Sequence, residues 1–226
     1  MLPKVSIITC ARQEGDSNGL YQSLEENPCL TTGEYEKIEL VACKSMGEGY
    51  NEGIRRATGE VLVFTHTDVS IWAGRKLWSD MVNECMKPGT GFVGVAGNSA
   101  MSDTGVWWSD VPGGIKRGNV AHSDPNHGTY MSLFGPYGNV VVLDGVFLAC
   151  SYSTATFCFG DGLFPEDTGF HFYDIETTLK MHLKGLKNTA MSLPIYHGSH
   201  GHLTPEWQRA REKFLDRYIN YLPAHV

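Results

Sequence analysis

Four consecutive apolar residues, Val61 to Phe64, give way within two positions to His66, Thr67 and Asp68. No other part of the chain constrains its fold as strongly as this change within residues 60–72 (EVLVFTHTDVSIW). An uninterrupted run of bulky and β-branched side chains suits a strand covered on both faces of a parallel sheet, because a strand with one wet face would alternate. In such sheets ligand chemistry collects beyond the carboxyl ends of the strands. A histidine and an aspartate two residues apart there can hold a cation, and they can equally form a plain polar turn after a core strand. These thirteen residues leave both readings open.

The flanking sequence supplies the fold class. Residues 5–9 (VSIIT) read as a first strand, followed by a short helix carrying Leu20 and Leu24, capped by Asp16 or Ser17 and ended by Asn27 and Pro28. Residues 37–43 (KIELVAC) read as a second strand, and GEGYNEGIRRATGE as a helix stopped by Gly59 before the third strand. This β-α-β-α-β order predicts an α/β fold with a parallel sheet and helices on its faces. Beyond Trp72 a helix is expected up to Met86 and a strand at residues 92–96. Residues 98–138 are rich in Gly, Asp, Ser and aromatics without a period; short strands and a cover over a binding face are expected there. Strands at 140–143 and 146–151 surround Asp144 and Gly145, a helix spans 172–183, and a last strand covers 190–196. Thr204 and Pro205 start a final helix whose stripe is Trp207, Ala210, Phe214 and Tyr218. No internal repeat or low-complexity tract interrupts this order.

At 226 residues the chain can bury one large core. A formal net charge of -7 argues against a nucleic-acid partner, whose grip needs clustered Lys and Arg. No window has the roughly 18 apolar residues of a membrane span, and the N-terminus lacks a signal pattern, so the expectation is a cytoplasmic protein with no transmembrane segment, a setting compatible with peripheral membrane contact. Six scattered cysteines with no CxxC pair read as reduced thiols.

Three polar sites stand at strand ends or a helix start: His66 with Asp68, Asp174 with Glu176, and His197 with His200 and His202. Each has a bland reading, since a carboxylate in a first helical turn complements the helix dipole and a glycine-flanked histidine cluster is commonly a polar loop. Asp68 offers a hard oxygen and His197 an imidazole, a mix suited to manganese or a similar ion. Gly47, Gly49 and Gly53 form a GxGxxxG that can cradle a dinucleotide pyrophosphate, but they follow the second strand instead of the first. Hydrolase GxSxG and P-loop signatures are absent.

VSIITCARQE resembles the opening strand of family-2, GT-A-type glycosyltransferases, and GEGYNEGIRRATGEVLVFTHTDV resembles their second core block. GVAGNS, VVVLDGVFLAC, GFHFYDIETTLKMHLKG and IYHGSHG, followed by EW, KF, RY and LP, resemble a bacterial subgroup in which the Asp-x-Asp motif reads His-x-Asp. The resemblance implies a GT-A fold, with a Rossmann-like nucleotide-binding half and a mixed, mostly parallel central sheet flanked by helices. It implies a single domain over 1–226, nucleotide-binding in 1–97 and acceptor-binding and catalytic in 98–226. Asp68 matches the metal-binding aspartate, His66 stands where the first aspartate usually stands, which leaves its role open, and His197 matches a histidine that completes the metal site. Asp174 matches the catalytic base. Thr9, Ala11 and Arg12 match the nucleotide-contacting end of the first strand, and Asn51, Asp144 and Gly145 join the donor-binding set.

The implied activity is transfer, with inversion, of a sugar from a nucleotide-diphosphate sugar to a hydroxyl acceptor such as a glycan or polysaccharide precursor. The implied cofactor is Mn2+ or Mg2+. The aspartate that often holds uracil is not evident near Cys43 and Lys44, so UDP is the first nucleotide to try and base identity stays open. Two other classes remain: a non-catalytic nucleotide-sugar or glycan-binding module, and a metal-dependent hydrolase. Trp107 and Trp108 read equally well as sugar-stacking or as core aromatics.

Overall fold

In the computed structural model, which describes residues 2–26, 35–124, 128–157, 162–199 and 203–226, the chain runs β1 (Val5–Ala11), α1 (Asn18–Glu26), β2 (Tyr35–Val41), α2 (Met46–Arg56), β3 (Val61–Thr65), β4 (Val69–Ile71), α3 (Arg75–Cys85), β5 (Thr90–Gly94), β6 (Ala96–Asn98) and β7 (Ala100–Met101). It continues through β8 (Lys116–Asp124), β9 (Gly128–Gly135), β10 (Gly138–Val140), β11 (Val142–Leu143), β12 (Phe147–Ser151), α4 (Tyr152–Phe157), α5 (Tyr173–Leu183), β13 (Lys187–Ala190), β14 (Ile195–His197), α6 (Pro205–Tyr218) and β15 (Ala224–His225).

A seven-stranded sheet in the order β10-β13-β5-β12-β3-β1-β2 forms the centre. Strands β2, β1, β3, β5 and β13 point one way and β12 and β10 the other, as a mixed, mostly parallel sheet should. The uninterrupted run in β3 now has its reason: Val61 and Val63 enter one apolar core while Leu62 and Phe64 enter the other. Helices α1 and α3 supply Leu20, Leu24, Trp78 and Met81 to the first core. Helix α2 supplies Tyr50 and Ile54 to the second. Strands from both ends of the chain share this sheet.

Local sequence explains the helix starts. Ser45 caps α2 by accepting from Glu48 N at 3.0 Å, and Thr204 caps α6 by accepting from Trp207 N at 3.2 Å with Pro205 in the first turn. The expected stripe of α6 packs inward, with Ala210 and Phe214 buried and Trp207 and Tyr218 against the core. The glycines of α2 serve close packing: a Cβ at Gly47 would lie 2.0 Å from Pro165 O, one at Gly49 2.2 Å from Cys10 Sγ, and one at Gly53 2.3 Å from Ile8 Cγ2.

The structure differs from the sequence reading in four places, the first being residues 140–143, expected as one strand and found as β10 in the central sheet and β11 outside it. The expected strand at 92–96 is two strands, β5 in the central sheet and β6 in a second, six-stranded sheet. The expected strand at 190–196 is likewise β13 and β14, one in each sheet. Pro194, which has no N–H to give a ladder, lies in the crossing, and its carbonyl accepts from Trp72 N at 2.9 Å. Residues 98–138 hold more than short strands, since β8 and β9 form a long antiparallel hairpin. Among the described residues no helix is long and apolar enough to cross a membrane. Asn27 and Pro28, expected to end α1, fall outside the described residues.

Because the atom opposite Gly47 is backbone, Gly47→Ala should lower the free energy of unfolding by about 1–3 kcal/mol, the usual cost of overpacking. Urea denaturation measures this, and an unchanged midpoint would mean that α2 and the chain at Pro165 separate without cost.

Candidate active site

The site begins where β3 is pinned. Thr65 Oγ1 donates to Val146 O at 2.7 Å, and Thr65 O accepts from Tyr50 Oη at 3.2 Å. Residues 66–68 then turn, and β4 leaves for the second sheet, pairing antiparallel with β14 so that Val69 faces His197. Gly198 N donates to Asp68 O at 2.8 Å. A Cβ at Gly198 would be 3.1 Å from that oxygen, so a larger residue there would have to push the two segments apart by a few tenths of an ångström.

This pairing brings three side chains able to ligate a metal together from two strands' ends. His66 Nδ1 is 3.2 Å from His197 Nε2, His197 Nε2 is 3.4 Å from Asp68 Oδ1, and the three donor atoms lie within 4.8 Å of one another. Two imidazole nitrogens and one carboxylate oxygen, converging to that spacing, fit a divalent ion of the manganese type. Burial and the adjoining His197 push His66 down to about 4, against the upward pull of Asp68 and Asp144, so its imidazole is neutral near neutral pH. Burial raises the Asp68 carboxyl, but hydrogen bonding and charge from His197 outweigh it and hold the group well below the usual carboxylate range. His66 and Asp68 are therefore in the protonation states that metal binding requires.

A second group, at the start of α5, is linked to the triad through Gly145 and Tyr173. Phe172, with φ of 57°, turns the chain into that helix while its ring packs on Trp207 and Phe214. Asp174 follows in the first turn, and its Oδ2 accepts from Gly145 N at 2.7 Å. A Cβ at Gly145 would stand 2.2 Å from Tyr173 Oη and 2.9 Å from Asp174 Cβ, so only glycine permits this approach. Burial first, and Asp144 second, raise the Asp174 carboxyl from 3.8 to about 7 despite backbone N–H bonds that pull it down. A carboxylate poised near neutrality suits proton transfer.

The structure thus gathers His66, Asp68, Asp144, Gly145, Asp174 and His197. Thr9 is buried at the carboxyl end of β1, its hydroxyl 2.8 Å from Ser17 Oγ. Ala11 closes the strand, and Arg12 is exposed with its N–H on Asp16 Oδ2 at 3.0 Å. Asn51 is buried, accepting from Phe164 N at 3.1 Å and donating to Phe164 O and Glu166 Oε1, each at 3.0 Å. Its amide is a clasp on residues 164–166 beside a cavity of about 360 Å³. Glu176 faces away from Asp174, bonded to Arg217 Nη1 at 2.9 Å. Trp107 is buried against Phe134, whereas Trp108 is exposed beside Trp207. His200 and His202 lie outside the described residues.

Two residues that sequence reasoning passed over belong here. Tyr173 Oη is 2.8 Å from His66 Nε2. His122, opposite His197 in the parallel β8–β14 pairing, has its ring 5.7 Å from that histidine and stacks on Tyr130 at 5.3 Å. Tyr173 stands inside the block GFHFYDIETTLKMHLKG, beside the aspartate that the resemblance picks out, and His122 lies within residues 98–138, where no period could have put it on an inner face.

The model of a family described as "Glycosyltransferase like family" matches residues 6–218. Among solved structures, the mannosyltransferase PcManGT from Pyrobaculum calidifontis, in complex with GDP-Man and Mn2+, is similar with a TM-score of 0.54 at 14% identity, over 98% of this chain and 71% of that one. GalNAc-T7 with UDP, GalNAc and Mn2+ is similar with a TM-score of 0.63 at 10% identity, over 95% of this chain and 48% of that one. TarS from S. aureus gives 0.55 at 14% identity, over 95% of this chain and 39% of that one, so this chain spans less than half of the last two. No curated protein matches the sequence. At these identities the structural likeness speaks for the fold.

Asp174 should cost stability. A carboxyl whose pKa rises on folding from 3.8 to about 7 favours the folded state fully only below the unfolded value, and that contribution is lost as pH climbs through the folded one. In metal-free protein Asp174→Asn should therefore melt above the wild type at about pH 8, and the two curves should converge near about pH 4. A variant melting below the wild type at the higher pH would show that the carboxylate's favourable place at the helix N-terminus outweighs its burial.

Proposed function

The chain belongs to the glycosyltransferase-like family and has the GT-A fold, and from that premise we propose that it is a metal-dependent inverting glycosyltransferase moving a sugar from a nucleotide-diphosphate donor to a hydroxyl of a glycan or polysaccharide precursor. One observation carries the reading: the donor atoms of His66, Asp68 and His197 converge within 4.8 Å beyond the carboxyl end of β3. Asp174 is tied to the same corner through Gly145.

His66, Asp68 and His197 would hold manganese or magnesium, which as a Lewis acid would neutralise charge developing on the departing diphosphate. Residues 1–97 would take the nucleotide. Their first loop is rigid, since Asp16 accepts from Arg12 N and Gln13 N and Glu39 accepts from Gly15 N and Ser17 N. With its backbone held, exposed Arg12 is free to direct its guanidinium at a phosphate. Residues 98–226 would take the acceptor. Asp174 accepts the acceptor's hydroxyl proton as that oxygen attacks the anomeric carbon, and the Gly145 N–H keeps the carboxylate aimed during transfer. A single displacement inverts the configuration.

Calorimetric titration of UDP, and in parallel GDP, with manganese and then with excess chelator tests the metal's part. Affinity should collapse with the chelator and in Asp68→Ala; equal affinity throughout would remove the ion from the mechanism. Asp174→Asn should lower the transfer rate by roughly a hundredfold or more while leaving nucleotide affinity nearly unchanged. In the wild type, transfer should rise with pH through about 7, where Asp174 loses its proton. A panel of nucleotide sugars that yields neither transfer nor hydrolysis with manganese would leave a binding module instead of an enzyme.

A further inference from the structure

We propose that Tyr173 is a positioning residue of the metal centre: with the Gly145 carbonyl behind it, its hydroxyl holds His66 in the tautomer protonated at Nε2 and leaves the Nδ1 lone pair facing Asp68 and His197. The inference rests on the reading that this triad binds a divalent ion. It goes further in assigning the protons that make His66 a ligand.

Tyr173 Oη lies 2.8 Å from His66 Nε2 and 3.3 Å from Gly145 O. A carbonyl oxygen can only accept, so both contacts are satisfied together only when the phenol's single hydrogen goes to Gly145 and the Nε2 hydrogen to the phenol; a phenol turned to Nε2 would forfeit the bond to Gly145. The neighbouring phenol, Tyr50, lies within hydrogen-bond reach of Tyr173 but offers it no hydrogen, because Tyr50 Oη gives its own to Thr65 O at 3.2 Å; as an acceptor it too would leave the Nε2 hydrogen to His66. The Tyr173 oxygen thus faces His66 with lone pairs, and Nε2 must supply the hydrogen. A neutral imidazole has one N–H, so Nδ1 is left as an acceptor. That same Nδ1 is 3.2 Å from His197 Nε2 and belongs to the converging donor set. In the opposite tautomer an N–H would point into the triad and His66 could not bind an ion there.

The phenol has nowhere else to go. Its ring is buried and packs edge-on to Tyr50 at 5.6 Å. Glycine at 145 is what admits it, since a Cβ would be 2.2 Å from Oη and 2.7 Å from Cζ. Through its N–H and its C=O, Gly145 therefore orients the base and, by way of Tyr173, the ligand.

Long-range 1H–15N correlation spectra of metal-free protein read the His66 tautomer directly, and water-proton relaxation reads manganese affinity. The wild type should carry its hydrogen on Nε2. Tyr173→Phe, which removes one oxygen, should give a mixture of tautomers and weaken manganese binding about 10–100-fold, the usual loss for a partner of a ligating histidine, with the melting temperature nearly kept. A wild type protonated at Nδ1 would overturn the proposal, and that measurement needs no variant to fold. So would a variant with unchanged tautomer and unchanged manganese affinity. A wild type that is protonated at Nε2 and takes up no manganese would instead overturn the metal reading and the purpose assigned to Tyr173 with it.

Discussion

The hydrogen bond from Gly198 N to the Asp68 carbonyl, 2.8 Å long, closes the ladder between β4 and β14, and the arrangement of the active site depends on it. The pairing brings a histidine from residue 197 to a turn at residues 66–68, across most of the chain. Strand register makes the arrangement all-or-none. A slip of one residue would replace His197 by Tyr196, which now lies on the opposite face and stacks on Trp72 with ring centroids 5.6 Å apart.

Once the segments are clamped, burial forces the site's titratable groups apart. Asp68 is held ionised by His197, His66 is kept neutral by burial, and Asp174 is pushed toward neutrality by burial and Asp144. Burial acts on all three and the neighbouring charges decide the outcome at each, so that groups able to serve as ligands and as a base stand in different protonation states. Such an arrangement is not a source of stability. The central sheet offsets it: Val61, Leu62, Val63 and Phe64 are wholly buried, and each contributes about 1.5–3 kcal/mol relative to exposure.

Glycine is the recurring means of close approach. Gly198 lets the two segments of the triad lie a few tenths of an ångström closer, Gly145 lets Tyr173 and Asp174 reach one turn, and Gly47, Gly49 and Gly53 let α2 lie against β1 and the chain at Pro165. The same residue type therefore shapes the candidate site in two places and serves packing in the third. Spacing alone could not separate these uses, because a glycine row before a helix looks alike whether it faces a phosphate or a neighbouring strand.

Local pattern was enough to read the β-α-β-α-β order, the buried third strand, the cap at Thr204, and the turn that carries His66 and Asp68, because these depend on neighbours a few residues away. The family blocks extended that reading to Asp174 and His197. Tertiary structure decided the rest. Pro194 and the residues around it split one expected strand between two sheets. Tyr173 became the partner of His66 only because a glycine 28 residues earlier lies beneath its hydroxyl. The protonation of Asp174 and His66 was settled by burial and by charges brought in from distant positions. A sequence states which groups are present and which local shapes they favour; desolvation and proximity, which set their chemistry, exist only after the chain has folded.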